Sequence, residues 1–168
     1  MYAAEHRIAG VVVLFDPPRN MVDNVRSYVD ELECLYVVDN SDFHDPELER
    51  QLLAIPNARY VRNQGNPGQA HALNLGVAAA LRDGAHFVLT MDQDSRASPR
   101  MMARMLEVLD EVPRDQIGIV APFHLTRDRP MPPPARWQDV YTTMTSGNLL
   151  NTAAFVRAGP FQEALFLD

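Results

Sequence analysis

The sequence predicts an α/β sandwich around a mainly parallel central sheet, and three observations carry that prediction. Short apolar runs rich in β-branched residues recur along residues 8–121. Segments whose apolar residues return every three or four positions lie between them, as amphipathic helices require. The runs are apolar throughout instead of alternating, which suits strands buried on both faces between helical layers.

Taken in order, Ile8-Ala9-Gly10-Val11-Val12-Val13-Leu14-Phe15 reads as the first strand, and Asp16-Pro17-Pro18 ends it. Over residues 21–32, Met21, Val25, Tyr28, Val29 and Leu32 form one stripe of a helix. Leu35-Tyr36-Val37-Val38 is a second buried strand that closes in Asp39-Asn40-Ser41-Asp42. Asp45 as N-cap and Pro46 at the first helical position start a short helix that runs to Leu53. Residues 58–61 make a third strand. The turn-rich Asn63-Gln64-Gly65-Asn66-Pro67-Gly68 then feeds a helix over residues 69–81, with an exit at Asp83-Gly84. A loop entering a helix can offer backbone N–H groups to an anion or can simply connect, and both readings stand.

Residues 85–91 are the fourth strand. Ser98-Pro99 caps the next helix, whose Met101, Met102, Met105, Leu106 and Leu109 read as core, and Ile117-Gly118-Ile119-Val120-Ala121 is a fifth strand. Beyond Pro122 the pattern changes. Residues 123–137 hold Pro130, Pro132, Pro133 and Pro134, and so form a loop able to lie over a site. Residues 140–145 alternate like a strand exposed on one side; Ser146-Gly147-Asn148-Leu149-Leu150 follows, and a short helix over residues 152–158 closes at Gly159-Pro160. The stretch from Phe161 to Asp168 has neither a helical pattern nor a polar tail, so residues 1–168 read as one domain cut at its C-terminal end.

Composition narrows the function. A net charge of −7 and a pI near 5.1 leave no basic face for nucleic acid. All 15 basic residues are arginine, which excludes chemistry built on a lysine amine, including P-loop and Schiff-base mechanisms. The lone Cys34 cannot form an intrachain disulfide and reads as a buried thiol. His71 and His86 read as core or boundary residues, and Trp137 as a packing residue that could also stack on a sugar. The apolar run at residues 8–15 is too short to span a bilayer and has no cleavage pattern after it. The expected location is therefore cytoplasmic, with peripheral association of a full-length protein at the inner face of the cell membrane left open.

Phe87-Val88-Leu89-Thr90-Met91 delivers Asp92-Gln93-Asp94-Ser95 to the end of the fourth strand. Acids two positions apart leave an extended chain on the same face and repel each other unless a cation lies between them. A hard divalent ion, Mg²⁺ or Mn²⁺, takes one or two carboxylates and completes its shell with a substrate's phosphates. Asp92 and Asp94 are the candidate metal ligands, with a turn bearing two solvated acids as the plain alternative.

Six motifs in order resemble the inverting family 2 glycosyltransferases of the GT-A fold, and within them the rhamnosyltransferase branch. They are Val12-Val13-Leu14-Phe15-Asp16-Pro17, Val37-Val38-Asp39-Asn40-Ser41, Asn66-x-Gly68-x-x-x-Ala72-x-Asn74-x-Gly76, Asp92-Gln93-Asp94-Ser95, Ser146-Gly147-Asn148-Leu149-Leu150 and Gly159-Pro160-Phe161-x-x-x-Leu165-Phe166-x-Asp168. The resemblance implies a GT-A-like sandwich that binds a nucleotide-diphospho-sugar, dTDP-rhamnose or a UDP-sugar. The transfer it implies runs with inversion to a saccharide or glycolipid acceptor in cell-surface polysaccharide synthesis. Phe15, Asp16, Pro17 and Asp39 would line the nucleoside pocket, with Asp39 accepting from the pyrimidine N3–H. Asn66, Gly68 and Asn74 would lie beside the sugar and diphosphate, with Asn74 able to bond the Asp-x-Asp loop. Asp92 would face ribose or metal, and Asp94 would ligate the metal. The catalytic base would fall about three residues past Asp168, with Asp168 itself a weaker candidate, so the 168 residues would bind donor and metal yet transfer poorly. The opening Asn66-Pro67 departs from the family's Asn-hydrophobic pair.

Two other classes compete. Haloacid-dehalogenase-like phosphatases also place Asp-x-Asp after an apolar strand, but their motif opens the domain, whereas three strands precede it here. A non-catalytic nucleotide-sugar-binding module would use the same donor site without transfer.

Overall fold

The computed structural model describes residues 6–124 and 136–165. At the centre of its sheet is β1 (Ile8–Leu14), where Val11, Val12 and Leu14 are wholly buried. It pairs in parallel with β2 (Cys34–Asp39) on one side and β4 (Phe87–Asp92) on the other, and β2 pairs in parallel with β3 (Ala58–Arg62). β6 (Asn148–Asn151) lies antiparallel between β4 and the two-residue β5 (Ile119–Val120), so the order is β3-β2-β1-β4-β6-β5. Of these six strands only β6 is reversed, which agrees with the expected mainly parallel sheet.

Helices cover both faces. One cluster joins α1 (Met21–Arg26), α2 (Pro46–Leu53) and α4 (Met101–Glu111) to Val12, Leu14, Leu35, Phe87 and Leu89. The opposite cluster sets α3 (Gln69–Arg82) and Phe155 of α5 (Thr152–Ala158) on Val11, Tyr36, Val38, Val88 and Leu150. Adjacent strand residues therefore serve different layers, which is why the runs carry no polar alternation. Asp45 caps α2 as expected, accepting from the N–H of Glu47 at 3.0 Å and of Leu48 at 3.1 Å.

Four expectations shift. The helical stripe of residues 21–32 is buried throughout, but α1 stops at Arg26 and a 3-10 turn covers Val29–Glu31. The Ser27 hydroxyl donates to the Asn24 carbonyl at 2.6 Å and accepts from Ala97 N–H at 2.9 Å, which tethers the helix end to another part of the chain. Ser98 does not cap α4 through its side chain; Arg100, with φ 68°, precedes the helix. The fifth strand shortens to Ile119–Val120, and next to it Asn151 donates its Nδ2 to the Ile117 carbonyl at 2.8 Å and its N–H to the Gly118 carbonyl at 2.9 Å.

The largest correction concerns residues 140–145, which form no strand. Val140, Tyr141 and Met144 are exposed. Alternation alone does not make a strand without a ladder partner, and the place beside β4 is taken by Asn148–Asn151, reached through Gly147 at φ 81°.

α5 leads into a segment pinned on α3. Asn74 Nδ2 donates to the Phe161 carbonyl at 3.0 Å and to Glu163 at 2.9 Å, and Asn74 Oδ1 accepts from Phe161 N–H at 2.9 Å. His71, expected as core or boundary, is a half-exposed helix residue 3.0 Å from Glu163. The Asn74 amide and then His71 hold the Glu163 carboxyl below its ordinary value of 4.5. A depressed carboxyl adds stability above its unfolded pKa and loses it as pH falls through the folded value. Thermal unfolding followed from pH 6 downward should therefore drop less steeply below about pH 4.5 in Glu163→Gln than in the wild type.

Candidate functional site

Strand order places the site. The chain runs from β1 outward to β2 and β3, then returns past β1 to β4, so a crevice opens at the carboxyl ends of β1 and β4. Phe15, Asp16 and Pro17 follow β1 there, and Asp92 ends β4 directly beside them, with Val13 opposite Asp92 in the ladder. Residues far apart in sequence thus meet at one edge.

Gln93, between the two acids, fastens that meeting. Its Oε1 accepts from Phe15 N–H at 2.8 Å and its Nε2 donates to the Phe15 carbonyl at 2.9 Å, while Asn24 Nδ2 donates to the Gln93 carbonyl at 3.1 Å. On the other side, Asp92 N–H donates to Ser146 Oγ at 3.1 Å, and that hydroxyl donates to Ser95 Oγ at 2.8 Å. Ser95 N–H closes the turn on the Asp92 carbonyl at 3.1 Å, and Gly147 N–H donates to Thr90 at 2.7 Å. The backbone of Asp92-Gln93-Asp94 is thus tied to β1, α1 and the start of β6. Asp94 is exposed, and no described hydrogen bond or ion pair engages its carboxylate. Gln93→Ala should lower stability by about 1–2 kcal/mol, as two partly exposed hydrogen bonds are lost, read from a urea midpoint with an unchanged slope.

Asp92 is partly buried, and Gln69 Nε2 in the first turn of α3 approaches its Oδ1 at 3.4 Å. Asn74, which the resemblance allowed to reach this loop, is instead engaged with Phe161 and Glu163. It lies five residues beyond Gln69, so a helical rise of about 1.5 Å per residue carries it away from the sheet edge. Among the residues near the start of α3, Gln69 has the contact expected of Asn74.

Asp16 has φ 43°, a left-handed conformation uncommon outside glycine, and its N–H donates to Ser41 Oγ at 2.9 Å. Asp39, at the end of β2, is 2% exposed. Its Oδ1 accepts from Ser41 N–H at 2.8 Å and its Oδ2 from the Tyr60 hydroxyl. Desolvation first, and then this carboxylate, raise the Tyr60 phenol above its ordinary range. Each carboxylate oxygen keeps a second lone pair for a further donor.

Asn66 and Gly68 are both held from beneath by Asn40, which is 1% exposed. Asn40 Nδ2 donates to the Gly68 carbonyl at 3.1 Å and to Asn66 Oδ1 at 3.3 Å, and its Oδ1 accepts from Asn63 Nδ2 at 2.7 Å. Gly68, at φ 98°, turns the chain into α3, whose start carries no side-chain cap and so leaves its first N–H groups without a side-chain partner. Sequence reasoning missed Gln93, Asn40, Ser41, Gln69 and Ser146 as site residues. Their signal was position, since the first four stand within two residues of a strand's end or a helix's start.

The donor set suits a divalent ion that also holds phosphate. Among the described residues no group of three or more His, Cys, Asp and Glu gathers at metal-binding distance, so Asp92 and Asp94 would share the ion with oxygens of a bound diphosphate. Asp168 lies outside the described residues. No described helix is long and apolar enough to cross a membrane.

The sequence profile of glycosyl transferase family 2 matches residues 19–161. The chain is 24% identical over 181 residues to the dTDP-rhamnosyl transferase RfbF of Shigella flexneri, covering 96% of this chain and 59% of that protein. It therefore spans about three fifths of the curated relative's length. Among solved structures, S. aureus TarS 1-349 superposes with a TM-score of 0.70 at 16% identity, over 95% of this chain and 51% of that one. GalNAc-T7 with UDP, GalNAc and Mn²⁺ superposes with a TM-score of 0.68 at 13% identity, over 97% and 38%. With a sheet of this order, a match across most of the sequence and acids at the carboxyl end of β4, the chain belongs to glycosyl transferase family 2 and has the GT-A fold.

Proposed function

We propose that this domain binds a pyrimidine nucleotide-diphospho-sugar and a divalent metal at the β1/β4 crevice, as the donor half of an inverting glycosyltransferase. The donor is dTDP-rhamnose, with UDP-sugars as the alternative, and the acceptor is a saccharide or glycolipid. One observation carries the reading: Asp92 and exposed Asp94 stand at the switch point of the sheet, on a turn locked by Gln93 and Ser146. The RfbF relative supports the choice of rhamnose.

In this reading Phe15 and Pro17 bound the nucleoside, and Asp39 offers its remaining lone pairs to the base N3–H while Tyr60 and Ser41 hold it in place. The uncapped start of α3 faces the diphosphate with backbone N–H groups and the positive end of the helix dipole. A metal between Asp92, Asp94 and the diphosphate would stabilise charge on the leaving group. Inversion needs one displacement by an acceptor hydroxyl whose proton goes to a carboxylate, the role suggested for Asp168 or a residue beyond it.

Calorimetric titration tests the donor reading. With Mn²⁺, dTDP and UDP are expected to bind at least about tenfold tighter than GDP and ADP, and chelation should remove the difference. Nucleotide binding indifferent to metal would overturn the site; equal affinity for purine nucleotides would overturn the role of Asp39.

A further inference from the structure

β4 ends at Asp92, so Asp94 stands on a stretch of chain that no strand ladder holds. The hold comes from the side, from α1. Asn24 Nδ2 donates to the Gln93 carbonyl at 3.1 Å. Three residues on, and so on the same face of the helix, Ser27 Oγ accepts from Ala97 N–H at 2.9 Å and donates to the Asn24 carbonyl at 2.6 Å. Asp94, Ser95 and Arg96 are thus slung between two anchor points set three residues apart on one helix.

The mount is firm. Met21, Val25, Tyr28 and Val29, on either side of the two anchors, are buried in the core cluster, and Ala97 is buried where it meets Ser27. Asn24 is the one polar residue among the buried residues of α1. Burying an amide costs free energy unless it is hydrogen-bonded, and here the bond made is the one to Gln93.

What the anchors fix is direction. The Gln93 carbonyl shares one peptide plane with the N–H and Cα of Asp94, so Asn24 sets the tilt of that plane and with it the line along which the Asp94 side chain leaves. The carboxylate itself is engaged by no described bond, so its aim comes from its backbone. A metal ligand must be held to within about 0.5 Å of its working position, and an exposed loop without ties does not hold one. We propose that Asn24 and Ser27 are positioning residues for the metal: one turn of α1 decides where Asp94 stands, and so how strongly metal couples to nucleotide. The consequence rests on the donor reading of Asp94; the clamp does not.

Calorimetric titration of the 168-residue chain with UDP, with and without Mn²⁺, reads the effect as a ratio of two affinities. In Ser27→Ala the ratio should fall about tenfold below that of the wild type, and in Asn24→Leu by at least as much, the range found when a group that supports a metal ligand is removed. Ser27→Thr keeps the hydroxyl and should restore the ratio to within about twofold. Ser27→Ala deletes a single oxygen at a half-buried position, so the test does not depend on whether Asn24→Leu folds. General softening of the fold lowers both affinities together and leaves the ratio where it was. Without nucleotide or metal, hydrogen exchange of the Ala97 amide should quicken about tenfold or more in Ser27→Ala and stay slow in Ser27→Thr. Unaltered exchange at Ala97, or equal loss of both affinities, overturns the positioning role. A wild type whose UDP affinity ignores Mn²⁺ sinks the donor reading and this role together, whereas a metal gain present in the wild type and undiminished in Ser27→Ala sinks this role alone.

Discussion

Asp94→Ala is expected to weaken Mn²⁺-dependent UDP or dTDP binding by about 100-fold, roughly 2.7 kcal/mol, while leaving the fold intact. The prediction rests on exposure and on what the side chain does not hold. No described bond engages the Asp94 carboxylate, so removing it costs the apo protein little, and any large effect must come from metal and diphosphate. Asp92 is a poorer probe, because its side chain already meets Gln69 and its N–H meets Ser146. Titrations of wild type and variant with and without Mn²⁺ decide the matter. The variant with metal should resemble the wild type without it. Equal affinities in the presence of Mn²⁺ would remove Asp94 from the ligand set.

Gly76→Val is expected to cost about 3 kcal/mol of stability, a fall in Tm of roughly 6–12 °C for a domain of this size. A Cβ built on Gly76 would stand 2.5 Å from Val11 Cγ1 and 2.7 Å from Cγ2. Val11 cannot retreat: it is fully buried in the central strand, paired with Tyr36 on one side and Thr90 on the other. Gly76→Ala should still destabilise, although a helix gains about 1 kcal/mol from the exchange of glycine for alanine. Val11→Ala in that background should recover part of the loss, because it removes the two methyl groups in conflict. Additive losses in the double variant would show that the two sites are not in contact. The glycine that ends the Asn66-to-Gly76 motif thus serves the contact between α3 and β1, and in the proposed donor site only the beginning of the motif would face the ligand.

Much of the architecture was legible because it is written locally. β1, β2 and β4 are unbroken apolar runs, α2 has its Asp45-Pro46 start, and each strand end is marked by an acid or a turn residue. The candidate site was legible as a set of positions at those strand ends, Phe15 to Pro17, Asp39 and Asp92 to Asp94, which the sheet brings to its carboxyl edge. The alternation at residues 140–145 misled because an exposed segment with no ladder partner carries the same pattern as a half-exposed strand. Asn74 misled for a different reason. Its motif implied reach to the Asp-x-Asp loop, but helix rise carried the amide to Phe161.

What the sequence determined by itself was the alternation of strands and helices and the delivery of acids to strand ends, since period and capping depend only on neighbours in the chain. What only the tertiary structure decided was which ends meet. The contact of Gln93 with Phe15 spans 78 positions, that of Asp92 with Ser146 spans 54, and that of Asn40 with Gly68 spans 28. Such bonds form once the order β3-β2-β1-β4-β6 is set by packing two helical layers on one sheet.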